Sequence, residues 1–259
     1  MDAATLRDRL VGPYAAVDVV ASTGSTNADL RAAAGRGAPD RTALIALEQT
    51  AGQGRRGRGW VSPTGGLYLS VLFRPDGVPP GRIPWLTLLA GVALVRTAAD
   101  VGVRAALKWP NDLLVGPAKA AGVLAEITSG SAVVLGIGLN VTRLPDDVAP
   151  GAGGLAPTSL ENHSPGPLDR ADLAVTLLTR LHDLELRWRG LGGDDPALRE
   201  EYRRNCATLG RPVRVELARG GPLLGTAHDL APDGTLVVRD EAGADHPISA
   251  GDVVHLRVR

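Results

Sequence analysis

The chain has 259 residues, room for one large domain or for a domain of about 200 residues with a small appendage. Its 44% hydrophobic content supplies a core without the excess of a membrane protein, and 28 basic residues against 28 acidic ones exclude a global field that would draw it to nucleic acid or membrane. A single cysteine, Cys206, excludes an internal disulfide and a thiolate metal cluster. The N-terminus lacks the basic start and apolar run of a signal peptide, so a cytoplasmic protein is expected.

Residues 15–21, AAVDVVA, predict a strand. STGSTNADLRAAAGRG predicts a helix opened by the Thr26/Asp29 capping pattern and closed by Gly35 or Gly37. TALIALEQT predicts a second strand. In GGLYLSVLFRP, Leu67, Leu69, Val71 and Phe73 alternate with Tyr68, Ser70 and Leu72, which predicts a third. Ile83 to Val101 reads as a helix, with Pro84 tolerated in the first turn and Trp85, Leu88, Leu89, Val92 and Val95 on one face. Its longest apolar stretch, Trp85 to Val95, is too short to span a bilayer and lies between Arg82 and Arg96.

Three β-like runs follow: VRAALKWP, AAGVLAEIT and AVVLGIGLNV. A Pro/Gly-rich loop over 143–168 separates them from an amphipathic helix after Asp169, where Leu173, Leu177, Leu181, Leu184 and Trp188 keep helical spacing. Asp195-Pro196 starts a further helix that Gly210 ends. From Arg211 onward RPVRVEL, LLGTAHDL, GTLVVRD, HPISA and DVVHLRVR, separated by Gly-Gly, Asp-Gly and Ala-Gly turns, predict a small SH3-like barrel of five strands. The division expected is 1–208 and 209–259.

The stretch EQTAGQGRRGRGW (48–60) contains Gly52-Gln53-Gly54-Arg55-Arg56-Gly57, letter for letter a G-x-G-x-x-G dinucleotide fingerprint. That fingerprint needs a helix to begin at its third glycine, so that the helix N-terminus meets the pyrophosphate. Here Gly59, Pro63, Gly65 and Gly66 forbid a helix and the next regular element is a strand. A P-loop fails for the same reason, and Arg58-Gly59 stands where it needs Lys-Ser/Thr. What remains is a connection between strands with three arginines and four glycines in eight residues. Ordering such a segment costs about 1–2 kcal/mol per residue, and guanidinium forks match phosphate and carboxylate oxygens. A loop that stays mobile until an anion closes it fits this composition; so does a solvated turn, or an Arg/Gly RNA-binding segment.

Residues 108–126, KWPNDLLVGPAKAAGVLAE, gather Lys108, Asn111, Asp112 and Lys119 around a Pro-Asn-Asp turn, and GIGLNV places Gly136 and Gly138 on one face of a strand. Singly, each has an ordinary explanation as turn residue, solvated charge or bulge. Together and in order, STGSTNADL, EQTAGQGRRGRGW, GGLYLSVLFRP, KWPNDLLV, KAAGVLAE and GIGLNV closely resemble the catalytic domain of biotin protein ligases. With the C-terminal strands the resemblance covers nearly the whole chain.

The resemblance implies an α+β fold, a mixed β-sheet flanked by helices similar to class II aminoacyl-tRNA synthetases, followed by the SH3-like domain. It implies activation of biotin by ATP and Mg2+ to biotinyl-5′-AMP and transfer to a lysine of a biotin carboxyl-carrier domain of acyl-CoA carboxylases. On the matching positions, Arg55, Arg58 and Lys119 bring carboxylate and α-phosphate together. Ser25, Thr26 and Gln49 meet the ureido ring; Gly52, Gly136 and Gly138 admit close approach, with Gln53 beside them. Trp60 packs on adenine, and Asn111 and Asn140 lie near the nucleotide. Asp112 receives the incoming lysine or contacts magnesium. Asp229, His228 and His255, in the C-terminal strands, look like ordinary surface or turn positions.

Two departures stand out. Gln53 replaces an arginine frequent in the family, which predicts weaker retention of the adenylate, and Ala120 replaces a larger apolar residue. About twenty residues precede the first motif, too few for the winged-helix domain of the repressor members, so neither DNA nor membrane is an expected partner. Monomer and homodimer both stay open. The enzymatic rival is a lipoate ligase or octanoyltransferase of the same fold; the transferase needs a cysteine near the lysine, whereas Cys206 lies outside every motif.

Overall fold

The computed structural model describes residues 3–10, 12–128, 131–151, 154–217, 221–249 and 251–256. Its larger unit is a seven-stranded sheet in the order β1-β2-β3-β7-β6-β5-β4. The strands are β1 (Ala16–Thr23), β2 (Thr42–Gln49), β3 (Leu67–Phe73), β4 (Ala106–Lys108), β5 (Asp112–Val115), β6 (Ala118–Ile127) and β7 (Val133–Leu139). Only β1 and β2 run parallel. Parallel neighbours need a crossover, and α2 (Thr26–Gly35) provides it.

The helix α2 begins one residue earlier than its sequence pattern predicts. Ser25, extended at φ −160°, is the N-cap, and its hydroxyl accepts from Ala28 N; Asp29 instead accepts from Thr23 Oγ1. Freed from the cap, Thr26 turns toward Gln49. Gly37, at φ +88°, closes the helix as the pattern requires.

The helices α1 (Ala3–Leu10), α3 (Trp85–Asp100), α4 (Arg170–Gly190) and α5 (Pro196–Asn205) lie on the opposite face of the sheet from α2. Leu67, Leu69, Val71 and Phe73 of β3 join this main core, together with Leu173, Leu177, Leu181, Leu184 and Trp188 of α4. The alternation in β3 predicts a strand, which forms, and all seven of its residues are buried. Leu72 packs with Leu30 of α2 in a second cluster, and Ser70 meets Thr26 and Asn27. A strand covered on both sides cannot expose its second row. The segment Pro80–Asp100 has the length and composition to cross a membrane, more than its shorter apolar heart suggests, but it holds the buried core helix α3.

Three elements depart from the sequence reading. The helix α1 was not predicted, its apolar content being slight. The strand β5 was not predicted beyond the Pro-Asn-Asp turn that leads into it, because four residues are too few for a period to show. The helix α5 ends at Asn205, before Gly210, where Cys206 pairs with Leu107 of β4 and Ala207 N donates to Leu107 O. A tertiary strand contact takes over the backbone groups that another helical turn needs.

The C-terminal strands β8 (Pro212–Glu216), β9 (Leu223–Leu230), β10 (Leu236–Arg239), β11 (Asp245–Ile248) and β12 (Asp252–His255) form an antiparallel sheet in the order β11-β10-β9-β8-β12. Residue 220 of the expected Gly-Gly turn and 257–259 of the last run lie outside the described residues. The indoles of Trp85 and Trp109 donate to Pro232 O (2.9 Å) and Gly234 O (3.0 Å) in the β9–β10 turn, and Arg82 also donates to Pro232 O. These bonds seat the second sheet over the end of β4.

Candidate active site

A cavity of about 320 Å³ lies between the β2–β3 connection, the strands β6 and β7, residues 144–151 and 155–157, and β12. Ser25, Thr26, Gln49, Gln53, Arg55, Arg58, Trp60, Asn111, Asp112, Lys119, Gly136, Gly138 and Asn140, singled out in the sequence, all line it. Segments far apart in the chain meet here because β2, β3, β7 and β6 are neighbours in the sheet and β12 of the second sheet closes over them.

One end of the cavity is neutral and polar. Gln49 Oε1 accepts from Thr26 N (2.9 Å) and lies 3.1 Å from Thr26 Oγ1, while Gln49 Nε2 donates to Ser62 Oγ (3.0 Å). Ser70 Oγ is 2.7 Å from Thr26 Oγ1 and 2.6 Å from Asn27 Oδ1. The Nδ2 of Asn27 donates to Glu126 Oε2 (2.8 Å) and Leu124 O (3.3 Å). Glu126 in turn pairs with the exposed Arg31 at 2.6 Å.

The other end is cationic. The Gly/Arg segment is a small hairpin: Trp60 N donates to Gly52 O, Gly54 N to Arg58 O and Arg58 N to Arg55 O. Arg56 (φ 57°) and Gly57 (φ 70°) occupy its tip, as a type I′ turn requires. The segment was expected to have little holding it in place. It is instead fastened to the C-terminal sheet by Asp252, which accepts two bonds from Arg58 (2.7 and 3.0 Å) and one from Arg56 (3.2 Å). The Arg58 bond holds the Asp252 carboxyl below its usual range and raises the Arg58 guanidinium. Arg55, half-buried, reaches Asn111 Oδ1 (3.4 Å) and Gly251 O (3.3 Å), and burial lowers its pKa.

On the floor, Lys119 Nζ lies 2.6 Å from Asp112 Oδ1, and Lys108 Nζ lies 3.8 Å from Asp112 Oδ2. Burial lowers the Lys108 ammonium, with the Asp112 charge opposing. The backbone of Lys119 is clamped by residues 156–158: its N–H donates to Ala156 O and its carbonyl accepts from Thr158 N. Asn140 Nδ2 donates to Thr158 O (2.9 Å), tying the same segment to the end of β7.

The glycines serve close packing of the protein itself. A Cβ on Gly136 would lie 2.8 Å from Asn27 Cγ, one on Gly138 2.6 Å from Trp60 Cε2, and one on Gly52 2.8 Å from Ser62 Oγ. Gly136 and Gly138 also line the cavity, so the close approach that the sequence reading gave to the ligand is at least shared with side chains and backbone of the β2–β3 and α2 regions. Trp60 thereby lies over Gly138 and Gly122, with Lys119 Nζ 5.2 Å from its ring centroid. That distance suits a cation–π contact.

Sequence reasoning missed Asp252, which carries no local motif, and Lys108, which it noted without a role. It treated 143–168 as a separator, although Leu144, Val148 and Leu155 of that loop wall the cavity. It passed over Asn27 and Ser70, whose spacing from each other shows no pattern. His255, read as ordinary surface, is half-buried with Nε2 2.9 Å from Thr208 Oγ1, and burial lowers it to about 4. No group of three or more His, Cys, Asp or Glu that could hold a metal occurs among the described residues. The Asp112 carboxylate is engaged by two lysines and the Asp252 carboxylate by two arginines, so these donors do not fit a protein-built magnesium site.

Fold and site together define an enzyme that handles anions: a mixed sheet whose edge of cations faces a neutral polar recess across one cavity. Two family descriptions match, the Biotin/lipoate A/B protein ligase family over residues 20–141 and the Biotin protein ligase C terminal domain over 208–256. The biotin–[acetyl-CoA-carboxylase] ligase of Mycobacterium tuberculosis is 43% identical, over 99% of this chain and 96% of that protein. That of Paracoccus denitrificans is 32% identical, over 87% and 95%. The biotin protein ligase from Aquifex aeolicus in complex with biotin and ATP superposes with a TM-score of 0.77 at 26% identity, covering 95% of this chain and all of that one. The chain belongs to the Biotin/lipoate A/B protein ligase family, among its biotin–[acetyl-CoA-carboxylase] ligases.

Proposed function

We propose that the chain activates biotin with ATP to biotinyl-5′-AMP and transfers the biotinyl group to one lysine of a carboxyl-carrier domain of an acetyl-CoA or acyl-CoA carboxylase. The observation that carries this is the convergence of Lys119, Arg55 and Arg58 on a cavity whose far end is the neutral Thr26–Gln49 recess. A carboxylate oxygen must attack the α-phosphorus while pyrophosphate leaves, and two anions repel. Fixed cations lower that barrier because they need no reorganisation during the reaction. Lys119, a compact point charge clamped at its backbone, touches oxygens of both groups, and Arg55 and Arg58 neutralise the phosphates.

In the second step the carrier amine attacks the acyl carbonyl and AMP departs. An ammonium is no nucleophile, so a proton acceptor is needed, and Asp112 fills that role between Lys119 and Lys108. Ser25, Thr26 and Gln49 contact the ureido ring, with Gly52, Gln53, Gly136 and Gly138 around it. Trp60 packs on adenine beside Asn111 and Asn140. The triphosphate would have to bring its own magnesium, since no side-chain cluster among the described residues offers a cage for it. We further propose a catalytic unit over 1–208 related to class II aminoacyl-tRNA synthetases, an SH3-like unit over 209–259, and a cytoplasmic location.

The octanoyltransferase reading loses support from Cys206: its thiol is buried, its pKa is raised by that burial, and it lines neither cavity end. A lipoate ligase has a dithiolane to bind, which gives no use to a recess of fixed donors and acceptors. The deciding measurement is pyrophosphate release from ATP with biotin, lipoate or octanoate as the acid, followed by mass analysis of an added carrier domain. Release with lipoate but not biotin would overturn the reading.

A further inference from the structure

A chain of hydrogen bonds runs from the surface pair Arg31–Glu126 to the recess, and its proton polarity can be worked out. Asn27 Nδ2 faces two acceptors, Glu126 Oε2 and Leu124 O, so the amide cannot be turned round without setting oxygen against oxygen. Its Oδ1 therefore faces Ser70 as an acceptor. Ser70 has one proton, and the 2.6 Å contact to Asn27 Oδ1 takes it. The 2.7 Å contact between Ser70 and Thr26 must then be filled by the proton of Thr26. Gln49 Oε1, 3.1 Å from Thr26 Oγ1, already has Thr26 N–H at 2.9 Å and needs no more. The Thr26 hydroxyl, its proton spent inward, is left with lone pairs at the cavity. Ser25 accepts from Ala28 N and keeps its own proton to give, and Gln49 Nε2 keeps one N–H beyond Ser62.

We infer that Asn27 and Glu126 are positioning residues that fix the Thr26 hydroxyl as a hydrogen-bond acceptor, and so make the recess specific for a ligand N–H at that point. The inference rests on the proposed biotin activity, because a cyclic urea carries two N–H donors around one carbonyl. Glu126 does not border the cavity and acts only through Asn27 and Ser70. Gly136 belongs to the device, since a Cβ there would displace the Asn27 amide.

Without Glu126 only the longer contact to Leu124 O (3.3 Å) still holds the Asn27 amide as it stands, so a share of the molecules turns it and donates to Ser70. Ser70 then donates to Thr26, and the Thr26 proton is released toward the cavity, where it opposes a ligand N–H. The test compares Glu126→Leu with Glu126→Gln, whose Oε1 still accepts from Asn27. Adenylation kinetics are measured with biotin and with its cyclic carbamate analogue, in which a ring oxygen replaces one N–H. The analogue is made in both orientations, so that one of them meets Thr26.

For Glu126→Leu, KM for biotin rises about tenfold, the worth of one good hydrogen bond, and discrimination against the matching carbamate falls by about the same factor. The kcat and the KM for ATP stay near wild type, and Glu126→Gln restores both biotin values. A structural lesion alone would move kcat or the ATP term as well. Asn27→Leu should repeat the Glu126→Leu result. If Glu126→Leu discriminates as the wild type does, the polarity argument is wrong while the activity stands. If the wild type makes no adenylate from biotin, it is the reading of the activity that fails.

Discussion

Asp252→Asn releases the Gly/Arg hairpin from the C-terminal sheet while keeping the side chain's size. Exposed ion pairs contribute about 0.2–1 kcal/mol each. Asp252 makes two, to Arg58 and Arg56, whose side chains are 43% and 37% exposed against 19% for the carboxylate. Asparagine keeps an acceptor for one of the bonds, which leaves a net loss of about 1 kcal/mol. That corresponds to an increase of about fivefold in the open population of the hairpin. Trypsin cuts after arginine, and three lie in this segment; when reclosing is fast, cleavage tracks the open population.

Cleavage after Arg55, Arg56 or Arg58 should therefore run about fivefold faster in the variant, with cutting elsewhere unchanged and the melting temperature lower by about 2–4 °C. High salt should bring the wild type toward the variant. The sign of the pH effect follows from the depressed Asp252 carboxyl. Its contribution is complete above the ordinary carboxylate value and is lost only as pH falls through the lowered one, so hydrogen exchange at Gly54 and Arg58 should stay protected down to that acid range. Equal cleavage rates in the two proteins would show that the hairpin is held by its own backbone bonds and not by Asp252.

Arg55→Gly should let the adenylate escape, seen as faster loss of labelled intermediate in a chase; retention equal to wild type removes that role from Arg55. Gly138→Ala pushes a methyl into the Trp60 indole and should cost about 1–3 kcal/mol in urea unfolding and raise the KM for ATP. The opposite outcome, a neutral change, means that Trp60 moves freely. Glu185→Ala leaves Arg41 and Arg189 without the fully buried carboxylate they share (3.0 and 2.5 Å) and should destabilise by about 3–5 kcal/mol. His255, lowered to about 4 by burial, must bind a proton on unfolding between its ordinary value and 4. Stability from His255 is thus complete above about pH 6.5 and declines as pH falls toward 4, a slope that His255→Asn should flatten.

The amphipathic helix α4 was legible because Leu173, Leu177, Leu181, Leu184 and Trp188 repeat at helical spacing and all are buried. The β1–α2–β2 unit and the five C-terminal strands announced themselves by alternation and turn residues. The motifs around Gly52–Trp60, Asn111–Lys119 and Gly136–Asn140 were visible for the same reason, being local in the chain. So was the exclusion of a dinucleotide turn, since Gly59 and Pro63 prevent a helix whatever surrounds them.

Tertiary structure alone decided what those motifs touch. The sequence has no sign that Asp252 would meet Arg58 194 residues earlier, or that Asn27 would reach Glu126 across 99 residues. Nor could it show that the space above Gly136 and Gly138 goes to Asn27 and Trp60. Propensity, capping and turn chemistry act between residues a few positions apart, so the sequence displays them directly. Ion pairs, proton polarity and close packing act between atoms a few ångströms apart, and which atoms those are depends on how the two sheets and α2 come together.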